Sequence, residues 1–392
     1  MKITRLETFL VQPRWLFLKI HTDEGLVGLG EPIVEGRALT VAQAVAELEP
    51  YLVGKDPTRV MHHWQAMYKH AFYRGGPVLT SALSGVEHAL WDLTGKAAGL
   101  PVYKLMGGPL RDRIRIYAHV RGSTLDEATA NVKALVAQGF TALKTGITTA
   151  SAVQRKGQSE ALQSGGIAHR PARIVETPGF VQRAADWFAA LREAAGPEVD
   201  IAVDFHGAVS PQTAGLLIHA LEPFQPMFIE EPVQCQNVDV LADLARKTHL
   251  PIATGERIFT KWGFREILEK RAASILQPDI SHAGGIFEGR LIAGMAEAYY
   301  AAVAPHCPLG PISLAAGVQL DAAIPNFLAQ EQVSLGDGYL KQPFVLKDGY
   351  LELPTAPGLG IELDEEALAE KIGHNWRNPE AYSPDDGAAI DW

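Results

Sequence analysis

The chain opens on two short, largely apolar runs joined by a polar turn, and helical spacing follows. Trp15-Leu16-Phe17-Leu18-Lys19-Ile20-His21 reads as a strand, Thr22-Asp23-Glu24-Gly25 as a turn, and Leu26-Val27-Gly28-Leu29-Gly30-Glu31 as the returning strand. Helical patterns follow at about 39–53, 58–70 and 80–98. The third carries Leu83, Val86, Leu90 and Leu93 as one apolar stripe and stops at Gly99-Leu100-Pro101. Strands followed by helices predict a separate α+β unit over residues 1–120.

After Gly107-Gly108-Pro109 the rhythm changes to short strands alternating with helices. Strands are predicted at Ile114–Ala118, Phe140–Lys144, Ile201–Asp204, Met227–Glu230, Ile252–Thr254, Ser274–Gln277, Ala301–Ala304 and Phe327–Gln330. Eight strands with intervening helices predict a parallel sheet closed into a barrel. An open doubly wound sheet would normally carry a Gly-rich phosphate loop after its first strand, and none is present. The barrel is expected over 121–355, with a C-terminal segment, 356–392, docking back on the first unit. Trp376-Arg377-Asn378-Pro379 and the terminal Ile390-Asp391-Trp392 suggest that docking. Thr145 to Pro178 breaks the rhythm and reads either as a lid over the catalytic face or as a tolerated insertion.

Composition narrows the function. The 392 residues are 47% hydrophobic and 20% charged, with a net charge of −10. That charge, with no Lys/Arg cluster, argues against nucleic acid as a partner. Cys235 and Cys307 form no CxxC pair, which fits a reducing compartment. No run approaches the roughly 18–20 apolar residues of a membrane span, and a cytoplasmic location is expected.

The candidate chemistry lies at the strand ends. Asp204, Glu230 and Glu256 stand 26 positions apart, about one β/α unit, so they close three adjacent strands at equivalent places. Three carboxylates converging on one spot repel one another, and a divalent cation relieves that. All-oxygen ligation points to Mg²⁺, one per subunit, with Mn²⁺ second and Zn²⁺ disfavoured. Asp279 closes the sixth strand and His306 the seventh, so Asp279 can orient His306 as a general base. His206 beside Asp204 is a second acid/base group, and a protonated Glu331 could hydrogen-bond a developing oxyanion. These residue types suit removal of a proton α to a carboxylate. An acid over a β-hydroxyl then expels water, whereas an acid on the opposite face inverts the carbon. A barrel that has lost catalysis and only binds is disfavoured by the complete set.

These motifs resemble the enolase superfamily, mandelate racemase subgroup, and most closely the D-galactonate dehydratases. The resemblance is carried by Pro13-Arg14-Trp15, Phe72-Tyr73-Arg74-Gly75-Gly76-Pro77, Asp204-Phe205-His206-Gly207, Ile229-Glu230-Glu231-Pro232, Ile280-Ser281-His282-Ala283-Gly284-Gly285 and Ala304-Pro305-His306-Cys307-Pro308. It implies a modified TIM barrel of (β/α)7β type with an N-terminal α+β capping domain. It further implies Mg²⁺ on Asp204, Glu230 and Glu256, and His306 as base with Asp279 behind it. His206 would be acid to a leaving 3-hydroxyl and Glu331 the oxyanion stabiliser. The product would be a 2-keto-3-deoxy sugar acid made from a small-molecule sugar acid, D-galactonate being favoured. Another aldonate or aldarate, or racemisation or epimerisation, is the alternative. Arg14, Trp15 and Arg74 from the capping domain, with Lys144, are expected near the substrate, and a homo-oligomer is expected. Lys144-Thr145-Gly146 departs from the family's usual Lys-x-Lys or Lys-x-Asn, which weighs against a racemase and removes one expected substrate contact.

Overall fold

The computed structural model describes residues 1–147, 176–378, 382 and 387–389. Most of the expected lid, 148–175, lies outside the described residues, as do Pro379 and Ile390-Asp391-Trp392.

The chain opens with three antiparallel strands in the order β1 (Ile3–Val11), β2 (Trp15–Thr22) and β3 (Val27–Gly30). The first of these went unread in the sequence because its side chains are mostly half-exposed and do not alternate cleanly. Helices α1 (Ala38–Leu52), α2 (Val60–Lys69) and α3 (Pro77–Ala98) follow close to the predicted positions. Pro77 starts α3 where its missing N–H costs nothing, and Gly99 ends it in the left-handed conformation. A short helix, α4 (Val102–Leu105), leads on to the barrel.

Two buried acids of the N-terminal unit lock it onto barrel helices. Glu31 accepts the Gly310 and Ser313 N–H groups at 2.7 and 2.9 Å, and Glu87 accepts those of Ile286 and Phe287 at 2.8 and 3.0 Å. Both acids therefore sit at helix N-termini, where orphan donors and the helix dipole favour an oxygen acceptor.

The predicted first barrel strand, Ile114–Ala118, is split in two. Arg113–Arg115 (β4) pairs antiparallel with a later strand, and the barrel takes the chain from Ile116 on, with Ala118–His119 (β5) in its parallel sheet. Then follow α5 (Leu125–Ala137), β6 (Ala142–Gly146), α6 (Pro178–Ala195), β7 (Asp200–Asp204), α7 (Pro211–Leu221), β8 (Ile229–Glu230) and α8 (Val238–Ala245). The series ends with β9 (Ile252–Thr254), α9 (Thr260–Glu269), β10 (Ile275–Leu276), α10 (Ile286–Ala298), β11 (Ala302–Val303) and α11 (Pro311–Asp321). Strands β5 to β11 form one parallel sheet in chain order. The predicted eighth strand, 327–330, is reduced to isolated bridges, Val303 to Phe327 and Ile116 to Gln330. Those bridges join the two edges, which is the (β/α)7β form of a TIM barrel with an N-terminal capping domain.

One layer of the barrel interior holds Tyr117, Ala142, Ala202, Phe228, Ala253, Ile275, Ala304 and Ala329. The alanines leave room for the large rings of Tyr117 and Phe228. Strand side chains repeat every second residue, so the position two further along most of these strands points into the mouth.

Beyond the barrel, β12 (Leu346–Lys347) and β13 (Tyr350–Glu352) form a small sheet with β4, and α12 (Glu365–Ala369) follows. The tail contacts the first sheet: Gln12 N–H donates to Lys371 O at 2.9 Å, and Gly373 N–H to Leu10 O at 2.8 Å. Among the described residues no helix is long and apolar enough to cross a membrane.

Candidate active site

The site begins where β7 ends. Asp204 Oδ1 accepts the His206 backbone N–H at 2.8 Å, a local turn that reverses the chain with His206 at φ 53° and Gly207 at φ 62°. Strand alternation puts Asp204 and His206 on one face, and the turn closes the pair, placing Nε2 3.0 Å from Asp204 Oδ2. Glycine suits position 207, where φ is positive and a Cβ would press on Gln234 N at 3.1 Å and on the Arg257 guanidinium.

Lys144, inward-facing on β6, is buried at the centre of this mouth. Its Nζ lies 3.0 Å from Asp204 Oδ2, 2.5 Å from Glu230 Oε1 and 3.1 Å from Glu331 Oε1. Burial alone would strip its proton, but the three carboxylates outweigh it and push its pKa well up. Burial would likewise raise Asp204, yet His206 and Lys144 hold it well below the usual carboxylate range. Glu230 is the opposite case: burial and then the Asp204 charge push it up to about 8.

Across the mouth, His306 Nδ1 lies 2.8 Å from Asp279 Oδ2, whose other oxygen accepts the Ser281 N–H at 2.8 Å. That leaves His306 Nε2 aimed at Glu256 Oε2, 3.2 Å away, and Glu331 Oε2, 3.8 Å away. Burial opposes its positive charge, but Glu256, Glu331 and Asp279 together hold the ring protonated well above its ordinary range. His206 is raised to about 9, chiefly by Asp204. Positive charge placed among these acids would weaken their hold on the His306 proton and let the ring act as a base.

The predicted metal ligands are brought together in part. Asp204, His206 and Glu256 offer ligand atoms all within 4.8 Å of one another, while Glu230 pairs with Lys144. Glu230 Oε2 is buried without a hydrogen bond, and Glu256 Oε2 has only the His306 ring, 3.2 Å away. Unsatisfied buried carboxylate oxygens are costly, and a hard divalent cation with oxygen ligands satisfies them. The residues therefore fit Mg²⁺.

The other predicted residues fare differently. Glu331 takes Lys144 and His119 on Oε1 and the Cys307 N–H on Oε2 at 2.9 Å. Burial would raise it, but Lys144, His306 and His119 hold it well below its usual range. These contacts favour a carboxylate at Glu331, where the sequence reading made its role at an oxyanion depend on a proton. Arg14 is buried, its Nη2 3.2 Å from Pro308 O and 3.5 Å from Glu35 Oε1, with the guanidinium over the Trp376 ring. Trp15 lies in the core, its ring 4.9 Å from Tyr339 and 6.1 Å from Phe17. Arg74 is exposed, donating to Ala71 O at 3.2 Å over the Tyr68 ring.

Several neighbours escaped the sequence reading. Glu231 is gripped by Arg257 and Thr254, which stiffens the turn carrying Glu256. His282 Nδ1 meets Ser81 Oγ at 2.8 Å, linking the capping helix α3 to the loop after Asp279. His119, at the end of β5, has Nε2 2.9 Å from Glu331 Oε1. The signal for His119 was available: it stands two residues after inward-facing Tyr117, as Asp204 stands two after Ala202 and His306 two after Ala304.

A barrel with acid and histidine side chains at its strand ends, under an α+β cap, has the layout of an enzyme whose chemistry sits at the C-terminal end of the barrel. Residues 6–107 match the N-terminal domain of the mandelate racemase / muconate lactonizing enzyme family, and 127–367 match the enolase C-terminal domain-like family. The chain belongs to the enolase superfamily, in its mandelate racemase subgroup. It is 46% identical to the D-galactonate dehydratase of Ralstonia nicotianae and 44% identical to that of Pectobacterium atrosepticum, each alignment covering 100% of both chains. An enolase structure from Agrobacterium radiobacter, provisionally described as a galactarate dehydratase and holding Na and L-malate, matches with TM-score 0.88 at 33% identity over 100% of both chains.

Proposed function

We propose that the protein converts D-galactonate to its 2-keto-3-deoxy acid, with Mg²⁺ as cofactor. The enzyme is a hydro-lyase of the sugar acid dehydratase class. The galactonate reading rests on the full-length likeness to two D-galactonate dehydratases. The mechanistic reading rests on one observation, that His206 and the Asp279–His306 dyad flank a single carboxylate cluster.

In this reading Asp204, Glu230 and Glu256 hold the metal. When bound there, Mg²⁺ supplies the positive charge that acidifies the substrate's α-proton and relieves the crowded carboxylates. His306 Nε2 takes the C2 proton, with Asp279 fixing the ring through Nδ1. His206, charged beside Asp204, gives its proton to the 3-hydroxyl, which departs as water. The resulting enol becomes the 2-keto group. Lys144 and Glu331 border the carbon that gains negative charge, and Lys144 N–H groups are the donors at hand. Lys144 contacts the substrate, with Arg14 and Arg74 the further candidates from the capping unit, while Trp15 supports them from the core beneath. The same proposal includes units 1–120, 121–355 and 356–392, a homo-oligomer and a cytoplasmic location.

A second substrate class is favoured by one observation, the likeness to the Agrobacterium structure described as a galactarate dehydratase. Incubation with Mg²⁺ and a panel of C5 and C6 aldonates and aldarates, scored for 2-keto acid, separates the two. Keto acid from galactonate is the expected result. Keto acid only from another acid moves the substrate, and isomerised acid without keto product overturns dehydration.

A further inference from the structure

We propose that His119 is a positioning residue for Glu331, and through it for Lys144, in the dehydration; this rests on the function proposed above. The register supports it first. His119 pairs with Lys144 across β5 and β6, and it stands two residues beyond the interior layer, as Lys144, Asp204, Glu230, His306 and Glu331 do. It is thus the strand-end residue of the first barrel strand, at the level where the other strands present their chemistry.

The contacts give the position a purpose. Glu331 joins the two sides of the site, with Oε2 3.8 Å from His306 Nε2 and Oε1 3.1 Å from Lys144 Nζ. Cys307 N–H holds Oε2 at 2.9 Å. Lys144 cannot fix Oε1 alone, because its ammonium is divided among Asp204, Glu230 and Glu331. His119 Nε2, 2.9 Å from Oε1, supplies the second contact there, an ion pair off the line of a regular hydrogen bond. A carboxylate pinned at both oxygens cannot rotate, so its pull on Lys144 keeps a fixed direction. Without His119, Glu331 is free to turn about the Cys307 contact, and the ammonium drifts toward Glu230. The ring borders the open mouth, being one-fifth exposed, whereas Glu331 is 1% exposed. A merely structural filler would be buried with the core instead.

The experiment compares H119A and H119Q in the full-length Mg²⁺-loaded enzyme, on whichever sugar acid the wild type turns over. Gln carries its amide nitrogen about where the imidazole Nε2 stands. H119A is expected to lose kcat about 10- to 100-fold with KM nearly unchanged, and H119Q to recover most of it, at unchanged Tm. A KM rise alone would make His119 a substrate contact and overturn the proposal, as would full activity in H119A or failure of H119Q to rescue. Independently of turnover, the ring ¹⁵N resonances of His119 should shift in E331Q, and unchanged resonances would also overturn it. A wild type inactive on every acid would instead sink the dehydratase reading, leaving this resonance test intact.

Discussion

Lys144 Nζ lies 2.5 Å from Glu230 Oε1 while also touching Asp204 and Glu331, so one ammonium is shared among three buried acids brought from separate parts of the barrel. Removing it as Lys144→Met leaves uncompensated buried charge, which typically costs about 3–5 kcal/mol. The variant should melt well below wild type in chelator and recover part of the loss on adding Mg²⁺. Equal melting temperatures in chelator would contradict the charge balance described here.

The metal itself is tested by removal. Chelation should abolish turnover, and Mg²⁺ should restore it, with Mn²⁺ partly effective and Zn²⁺ not. Isothermal titration of the apo-protein should show one divalent site per chain, lost in Glu256→Gln. Full activity after exhaustive dialysis against chelator would exclude a metal role.

His206 and His306 are predicted to divide the proton work. His206→Asn should stop keto acid formation yet preserve exchange of the α-proton with deuterated water, followed by NMR. His306→Asn should stop both. If exchange disappears in the His206 variant as well, the two rings do not have separate tasks.

Asp279 acts through the imidazole it touches at 2.8 Å. Asp279→Asn removes the charge and favours the wrong ring tautomer. A fall in kcat of about 10²–10⁴ is expected, in the range that general acid–base catalysis contributes. A pH–rate profile should show the His306 limb moved to lower pH, since one of its raising charges is gone. An unmoved limb would count against the dyad.

His88 gives a pH prediction remote from the chemistry. The ring is buried on α3 with Nε2 3.0 Å from Ile280 O, and burial lowers its pKa from 6.5 to about 4. The folded state thus prefers the neutral ring. Its contribution is fully present above pH 6.5 and lost as pH falls toward 4, amounting to about 3 kcal/mol. Urea midpoints measured between pH 7 and 4 should fall with proton uptake on unfolding, and His88→Gln should flatten that slope. A variant with the wild-type slope would place the acid sensitivity elsewhere.

Legibility followed the local period. Asp204, Glu230 and Glu256 could be found because one β/α unit repeats about every 26 residues and strands present their last side chains to one end. His306 and Asp279 followed from the same spacing. His119 escaped because the apolar run Ile114–Ala118 looked like one strand. In the structure Arg113–Arg115 leaves to pair with β13, and the barrel strand begins later, which moves its closing residue to His119. Sequence pattern cannot show which sheet a strand joins, because that pairing is made with residues more than 200 positions away.

By itself, then, the sequence determined the barrel, the α+β unit before it and the acids and histidines at the strand ends through periodicity, and the superfamily through the resemblance its motifs carry. Only the tertiary structure decided how their charges are shared. It turned His206 back onto Asp204, set Lys144 between Asp204, Glu230 and Glu331, and kept Glu331 ionised where its expected role depended on a proton. It also buried Trp15 in the core and left Arg74 in solvent. Protonation depends on the distances among groups brought from separate strands, and no spacing along the chain contains those distances.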